Sequence, residues 1–222
     1  LIPVNHPVAH IEIGKYACKL NDPIIVYVSG GNTQIIGYNN KKYRVFGETL
    51  DIAIGNARDM FIREATGDFP GGPVMDKLAD NGKNFIELPY VVKGMDLSYT
   101  GILTAALKKL KDKNNKLEDI AFSFSETTFA MLCEVTERAL AHTGKNELIL
   151  VGGVAASPHL QRMMRIMCKE RGAKFEVVPQ QYSGDNGTMI AWTGSLSKER
   201  IAPEKADFYP RQRVDDVEIT WI

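Results

Sequence analysis

The chain has 222 residues, which is enough for one large domain or two lobes with a substantial core. Basic and acidic side chains number 27 each, so net charge predicts neither a nucleic-acid nor a membrane partner. No apolar run is long enough to span a bilayer, and the three scattered cysteines lack CxxC spacing. We therefore expect a cytoplasmic protein with no membrane association and no disulfide framework.

A first helix is predicted from Asn5, a good capping residue, to about Leu20. His6 and His10 are four residues apart, so they lie on one face of this helix about one turn apart. That is a metal-ligand spacing, although such a pair can also be purely structural. Because the residues between them include no glutamate, this is not the zincin motif, and a metal site needs a carboxylate from elsewhere in the chain.

Two β-branched runs in Ile24–Tyr38 flank the segment Ser29-Gly30-Gly31-Asn32-Thr33, which predicts a hairpin. The paired glycines allow positive φ and leave room for a ligand beside the backbone. Successive N–H groups in such a turn can face one phosphate, although an ordinary hairpin turn explains the same residues. A third antiparallel strand is predicted over Lys42–Phe46.

The next helix is predicted over Thr49–Ala65, with Asp51, Gly55 and Asp59 along one stripe. Two acids and a glycine in a row can meet a ribose, although a solvated helix face is equally compatible with them. Beyond a Pro-Gly-Gly-Pro elbow, short helices are predicted at Val74–Asp80 and from a Ser98 cap to about Lys111. The lysines at the end of the second helix can contact RNA phosphates or simply face water.

The second half alternates helices and strands, which predicts an α/β fold. The predicted elements are a helix Leu117–His142, a strand Glu147–Val151, a helix Ala156–Arg171, a strand Lys174–Val178 and a helix Thr188–Lys198. Gly152-Gly153 lies between a strand and a helix, as in a nucleotide-binding turn or in generic α/β packing. Asp185 lies just beyond the last of these strands, at the sheet edge where ligands collect. The apolar end, Val217–Ile222, has the composition of a strand.

This order of elements resembles one lobe of the actin-like, sugar-kinase and heat-shock ATPase (RNase H-like) fold, with helical insertions. On that resemblance, residues 1–22 are the end of an N-terminal lobe carrying the metal-binding helix. Residues 23–222 are then a C-terminal nucleotide-binding lobe with a helical insertion at about 73–113. Because the chain begins at Leu1 rather than Met, we expect that a first lobe precedes it.

Seven motifs occur in order and together resemble the TsaD family, in its archaeal and eukaryotic KEOPS-complex form. They are Asn5–Glu12, Tyr27–Gln34, Gly47–Asp51, Phe69–Pro73, Lys93–Asp96, Gly152–Ala156 and Gly184–Gly187. The resemblance covers nearly the whole chain. It implies transfer of a threonylcarbamoyl group from threonylcarbamoyl-AMP to N6 of adenosine 37 in tRNAs that read ANN codons. The implied partners are tRNA, a small atypical protein kinase (a separate subunit or a fused domain) and the other KEOPS subunits.

The resemblance also implies site residues, without naming a general base. The implied metal ligands are His6, His10, Asp185 and the phenol oxygen of Tyr27, around one divalent ion, Fe²⁺ or alternatively Zn²⁺. The implied contacts to the adenylate, or to an ATP-type nucleotide, are Tyr27, Val28, Ser29, Gly30, Gly31, Asp59, Gly72, Asp76 and Ser157. The family usually has asparagine where this chain has Ser157, and a hydroxyl lacks the paired donor and acceptor of an amide.

Three other readings remain open at this point. An actin-like ATPase or small-molecule kinase would explain the glycine hairpin but not the histidine pair with Asp185. A metalloprotease would use the histidine pair but lacks the glutamate of an HExxH motif. A non-catalytic scaffold that docks a kinase subunit would account for the apolar helices alone.

Overall fold

The computed structural model describes all residues, 1–222, and the chain folds around one five-stranded sheet. The strands are β1 (Ile24–Val28), β2 (Thr33–Asn39), β3 (Lys42–Glu48), β4 (Val92–Lys93), β5 (Asp96–Leu97), β6 (Glu147–Val151) and β7 (Lys174–Val177). The helices are α1 (His6–Cys18), α2 (Ile54–Thr66), α3 (Gly71–Asn81), α4 (Thr100–Leu110), α5 (Leu117–Thr143), α6 (Pro158–Arg171), α7 (Gln180–Ser183) and α8 (Gly187–Leu196). Only β4 and β5 lie outside the main sheet, where they pair with each other.

The order of strands in the main sheet is β3-β2-β1-β6-β7. The first three strands are antiparallel, as the hairpin residues predict, and β1, β6 and β7 run parallel. In this register Tyr27 lies opposite Gln34 on β2 and opposite Val151 on β6. The glycine turn after β1 and the Gly152-Gly153 turn after β6 therefore lie at the same edge of the sheet.

Both faces of the central strand are covered, which explains its uninterrupted apolar sequence. Ile24, Val26 and Val28 face the larger core, which α2, α4, α5 and α6 complete. Ile25 and Tyr27 face the other way, into a smaller core beneath α1. The helix with the histidine pair thus packs directly on the sheet, while the division of the chain at residue 22 stays a prediction.

The longest helix, α5, has 27 residues and lies in the larger core, where it buries several hydroxyl groups. Ser123, Thr128 and Thr136 each donate to the backbone carbonyl four residues earlier, whereas the hydroxyls of Ser125 and Thr127 have no hydrogen-bond partner. The helix ends at Gly144, whose φ of 68° is easily adopted by glycine. Neither α5 nor any other helix combines the length and hydropathy needed to cross a membrane.

The start of α2 differs from the sequence prediction. The helix begins at Ile54 rather than Thr49, so Asp51 is not part of a helical stripe with Gly55 and Asp59. Asp51 instead accepts hydrogen bonds from the backbone N–H of Ile52, Tyr99 and Thr100, and from the Ser98 hydroxyl. It therefore caps α4 from a distant turn, which also corrects the expectation that Ser98 is the cap.

Two other boundaries differ for local reasons. A 3-10 turn over Gly153–Ala156 precedes α6, which begins at Pro158 rather than at Ala156 because proline suits the first helical turn. Residues 217–222 form no strand, although the Ile219 N–H donates to the Lys41 carbonyl. The three cysteines, Cys18, Cys133 and Cys168, are free thiols in this structure.

Candidate functional site

The first helix aligns the two histidines. The Asn5 side chain accepts from the Val8 N–H at 3.1 Å, which caps α1 and fixes its start at His6. The imidazole rings of His6 and His10 then lie one turn apart, with centroids 4.9 Å from each other. His10 is 3% exposed, whereas His6 is open to solvent.

Asp185 completes a cluster with these histidines, although 175 residues separate it from His10. It lies in the turn before α8, where the Asn186 side chain caps the helix by accepting from the Met189 N–H. Packing of Met189 against α1 brings the turn to the histidines. One Asp185 carboxylate oxygen lies 3.2 Å from His6 Nε2 and 3.1 Å from His10 Nε2.

These donor atoms suit a metal ion. The three candidate ligand atoms all lie within 4.8 Å of one another. Two imidazoles and one carboxylate with open positions form a donor set that fits Zn²⁺ or Fe²⁺. Burial lowers the pKa of His10, against the opposing effect of its bond to Asp185. The neutral imidazole is therefore favoured, and it has the lone pair that a metal needs.

Tyr27 lies beside this cluster at the end of β1. Its ring centroid is 5.5 Å from that of His10, and the side chain is buried. Burial raises the pKa of its phenol, so the hydroxyl is neutral in this environment. Tyr27 borders the same cleft as the histidines, and its role as a ligand stays a prediction.

The turn between β1 and β2 presents backbone N–H groups to an oxygen atom. The Ser29 hydroxyl accepts from the N–H of Gly31 at 3.3 Å and of Asn32 at 3.0 Å. Space above Gly30 and Gly31 is open, whereas Val28 is buried and offers only its backbone. A turn of this kind can also present its N–H groups to a phosphate oxygen.

Two glycines let neighbouring elements approach this turn. A Cβ atom on Gly55 would lie 2.5 Å from the Ser29 carbonyl oxygen, and one on Gly152 would lie 2.4 Å from the Val28 carbonyl oxygen. Gly152 also has a φ of 92°. The start of α2 and the turn after β6 therefore approach the backbone of the hairpin closely, and the Ile54 N–H also donates to the Thr33 hydroxyl at 2.9 Å.

One cleft of about 1120 Å³ contains the histidine–aspartate cluster and borders both glycine turns. Its lining includes His6, His10, Tyr27, Gly31, Gly153 and Asp185, and residues 201–221 contribute much of the facing wall. The facing segment is tied to α1, because the Asn5 side-chain amide donates to Gln212 and to the Arg213 carbonyl.

The predicted nucleoside contacts form a second cluster, which does not line this cleft. The Asp59 carboxylate accepts from the Gly71 N–H at 2.7 Å. The Asp76 carboxylate accepts from the Ser157 hydroxyl at 2.7 Å and from the Arg58 guanidinium at 2.5 Å. Arg58 also donates to the Gly72 carbonyl, so the four predicted residues are linked within one region.

Sequence reasoning missed Arg58. It lies on α2 between residues of ordinary helix-forming type, and no motif marks it. The sequence offers one indication of its role: Arg58 lies at a helical position that the apolar pattern assigns to the core. A buried arginine requires polar partners, so such a position points to a cluster around it.

Comparison with known proteins assigns the family. The sequence model of "TsaD: tRNA N6-adenosine threonylcarbamoyltransferase" matches residues 1–192. A relative from Methanocella arvoryzae named tRNA N6-adenosine threonylcarbamoyltransferase is 54% identical over the whole chain, which covers 69% of that protein. A probable bifunctional tRNA threonylcarbamoyladenosine biosynthesis protein from Methanocorpusculum labreanum is also 54% identical over the whole chain. The chain spans only 42% of this second relative's length.

Solved structures of lower identity support the fold. T. kodakarensis HypF aligns with 87% of this chain and 36% of its own, with a TM-score of 0.72 at 15% identity. The activator of 2-hydroxyisocaproyl-CoA dehydratase from Clostridium difficile aligns with 90% of this chain and 72% of its own, with a TM-score of 0.57 at 14% identity. The predicted α/β lobe of the actin-like class is confirmed, and by the sequence comparisons the chain belongs to the TsaD family.

Proposed function

We propose that the protein containing this chain transfers a threonylcarbamoyl group from threonylcarbamoyl-AMP to N6 of adenosine 37 in tRNAs that read ANN codons. Membership of the TsaD family and the names of its archaeal relatives support this activity. On this proposal the chain supplies the metal- and adenylate-binding surface of a KEOPS-type complex.

One observation carries the proposal. His6, His10 and Asp185 converge beside the twin-glycine turn, within a single cleft. An adenylate has an anionic phosphate and an acyl group to be activated. A cation site next to a turn rich in N–H donors matches both requirements.

The cluster would hold one divalent ion, Fe²⁺ or alternatively Zn²⁺, with Tyr27 as a further oxygen ligand. Such an ion, when bound, supplies Lewis acidity toward oxygen atoms of the substrate. The chain's own residues then have positioning roles: the N–H groups of Gly30 and Gly31 bind the phosphate, and the Gly31 N–H exchanges its 3.3 Å bond to the Ser29 hydroxyl for one to the phosphate. The new bond joins adenosine N6 to the carbamoyl carbon, the bond from that carbon to the phosphate oxygen breaks, AMP leaves, and one N6 proton is released to solvent.

The main catalytic contribution of the protein is to position the two reactants. AMP is a good leaving group and the adenosine amine is a weak nucleophile, so holding the two reactants together supplies much of the rate enhancement. Glu12, the one glutamate of α1, hydrogen-bonds Tyr43 beneath the helix, so its carboxylate is not directed at the cleft as a base.

The partners follow from the same proposal. We place tRNA at the open side of the cleft, together with a small atypical protein kinase and the other KEOPS subunits. The kinase would be a separate subunit or a fused domain. The word "bifunctional" in the names of longer relatives supports a second activity in those proteins.

Substitution of both histidines tests the activity. In a reconstituted complex containing the full-length protein, His6→Ala with His10→Ala should abolish formation of the modified adenosine. His142→Ala, at an exposed position on α5, is the matched control and should leave transfer intact. Unchanged transfer by a folded double variant would refute the metal site.

A further inference from the structure

Arg58 is a charged side chain that the proposed reaction does not yet use. It is 2% exposed, and its guanidinium carbon lies 5.3 Å from the centroid of the Phe129 ring. A guanidinium buried in this way requires a partner, because removal of the charge from water is costly. The face of the Phe129 ring stabilises part of the charge of Arg58. Asp76 is the only acidic side chain that forms an ion pair with Arg58.

Arg58 and Ser157 hold the same oxygen atom of Asp76. The guanidinium Nη2 lies 2.5 Å from Asp76 Oδ1, and the Ser157 hydroxyl lies 2.7 Å from that atom. Two donors from different elements, α2 and the turn before α6, therefore fix the rotation of one carboxylate. The second oxygen, Oδ2, accepts no hydrogen bond within the chain, and the Asp76 side chain is 20% exposed.

Arg58 also holds the backbone next to Asp76. Its Nη2 donates to the Gly72 carbonyl at 3.2 Å, in the first turn of α3. The guanidinium thereby fixes both the side chain and the helix that bears it. A lysine has the same charge but lacks the planar guanidinium, so it cannot reproduce this arrangement.

We propose that Arg58 is a positioning residue which, together with Ser157, directs the free Oδ2 of Asp76 toward a ribose hydroxyl of the adenylate. The proposal rests on the proposed function and on the resemblance to the TsaD family, which implies a nucleoside contact at Asp76. Position 157 then acts on the ligand through Asp76, because the serine hydroxyl already donates to that carboxylate. Ser157 would thus contribute to ligand binding through Asp76, whereas an asparagine at this position can contact the ligand directly.

Binding of two ligands to the full-length protein tests the role. Calorimetry would compare AMP with 2′,3′-dideoxy-AMP, which lacks the ribose hydroxyls. We expect Arg58→Lys to weaken AMP binding about tenfold, the effect of losing one hydrogen bond to a charged group. Binding of the dideoxy ligand should change by less than about twofold, because it makes no such bond.

A second variant and a control separate positioning from folding. Ser157→Ala removes one of the two donors and should weaken AMP binding by a smaller factor with the same ligand dependence. Arg162→Lys alters an exposed ion pair with Asp80, also on α3, and should change neither affinity. Equal weakening of both ligands by Arg58→Lys, or unchanged AMP affinity, would overturn the role of Arg58 alone. Failure of the parent protein to bind AMP would overturn the proposed function as well.

Discussion

Three buried polar residues hold α1, the helix that carries His6 and His10, against the sheet. The Lys15 ammonium donates to the Tyr43 hydroxyl at 3.2 Å, and that hydroxyl donates to a Glu12 carboxylate oxygen at 2.5 Å. Burial, followed by the charge of Glu12, raises the pKa of Tyr43, so its hydroxyl remains a donor. Glu12 and Lys15 lie on the same helix as His6 and His10, and this cluster therefore helps to fix the orientation of the two histidines.

Tyr43→Phe tests this cluster. Removal of the hydroxyl leaves Glu12 and Lys15 buried without their shared partner, so we expect a loss of about 2 kcal/mol in the free energy of unfolding. Urea denaturation measures it. Tyr38→Phe, at a half-buried position whose ring contacts Tyr43, is the matched control and should cost less. Equal stability of Tyr43→Phe and the parent would show that the cluster contributes nothing.

At the level of secondary-structure elements, the glycine turn depends on the close approach of α2. The Gly55 N–H donates to the Ser29 carbonyl at 3.3 Å, and no space remains for a side chain at Gly55. The start of α2 and the turn therefore move together. A displaced helix would alter the N–H groups that we assign to the phosphate.

Gly55→Ala should both destabilise the fold and weaken AMP binding. The added methyl group would meet backbone atoms at 2.5 Å and 2.9 Å, and overpacking of this kind costs about 1–3 kcal/mol. Thermal denaturation and calorimetry measure the two effects. Gly101→Ala, at an open position on α4, should instead be neutral or slightly stabilising. Normal AMP affinity in Gly55→Ala would contradict the proposal that the glycine turn binds the phosphate.

Asp119 joins α5 to the segment after α3. Its carboxylate accepts from the Asn84 side chain and from the backbone N–H groups of Lys83 and Asn84. These bonds, led by that of the Asn84 side chain, lower the pKa of Asp119 to about 2. A depressed pKa in the folded state stabilises the protein above the ordinary carboxylate value, and this contribution is lost as pH falls through the folded value.

Asp119→Asn should therefore destabilise the protein most at neutral pH. The difference in melting temperature from the parent should be constant above about pH 4 and should shrink toward pH 2. Melting curves over this range measure it. A difference that does not depend on pH would show that the charge of Asp119 is not what holds the segment.

The sequence predicts most elements but not the contacts that join them. Two runs of β-branched residues and the paired glycines between them mark β1, β2 and their turn, because that signal is local. The start of α2 is missed because Asp51 caps a helix almost 50 residues away, at Tyr99 and Thr100. For the same reason, helical spacing pairs His6 with His10, whereas only the fold brings Asp185 to them.

For the molecule as a whole, residues 201–221 connect the walls of the cleft. The backbone nitrogen of Leu1 donates to the Ile201 carbonyl, and the Ile201 N–H donates to the Leu1 carbonyl. Arg213 forms ion pairs with Glu48 at the end of β3 and with Asp215. The wall that faces His6 is thus attached both to α1, through Asn5, and to β3, through Glu48.

The central claim is that His6, His10 and Asp185 form one metal site in this cleft. Its most direct test is elemental analysis of the purified full-length protein and of its Asp185→Asn variant. We predict one Fe or Zn per chain in the parent protein and a loss of most of that metal in the variant. Asp207→Asn, which alters another exposed carboxylate of the cleft, should retain it. A folded Asp185→Asn variant with the full metal content would contradict the account.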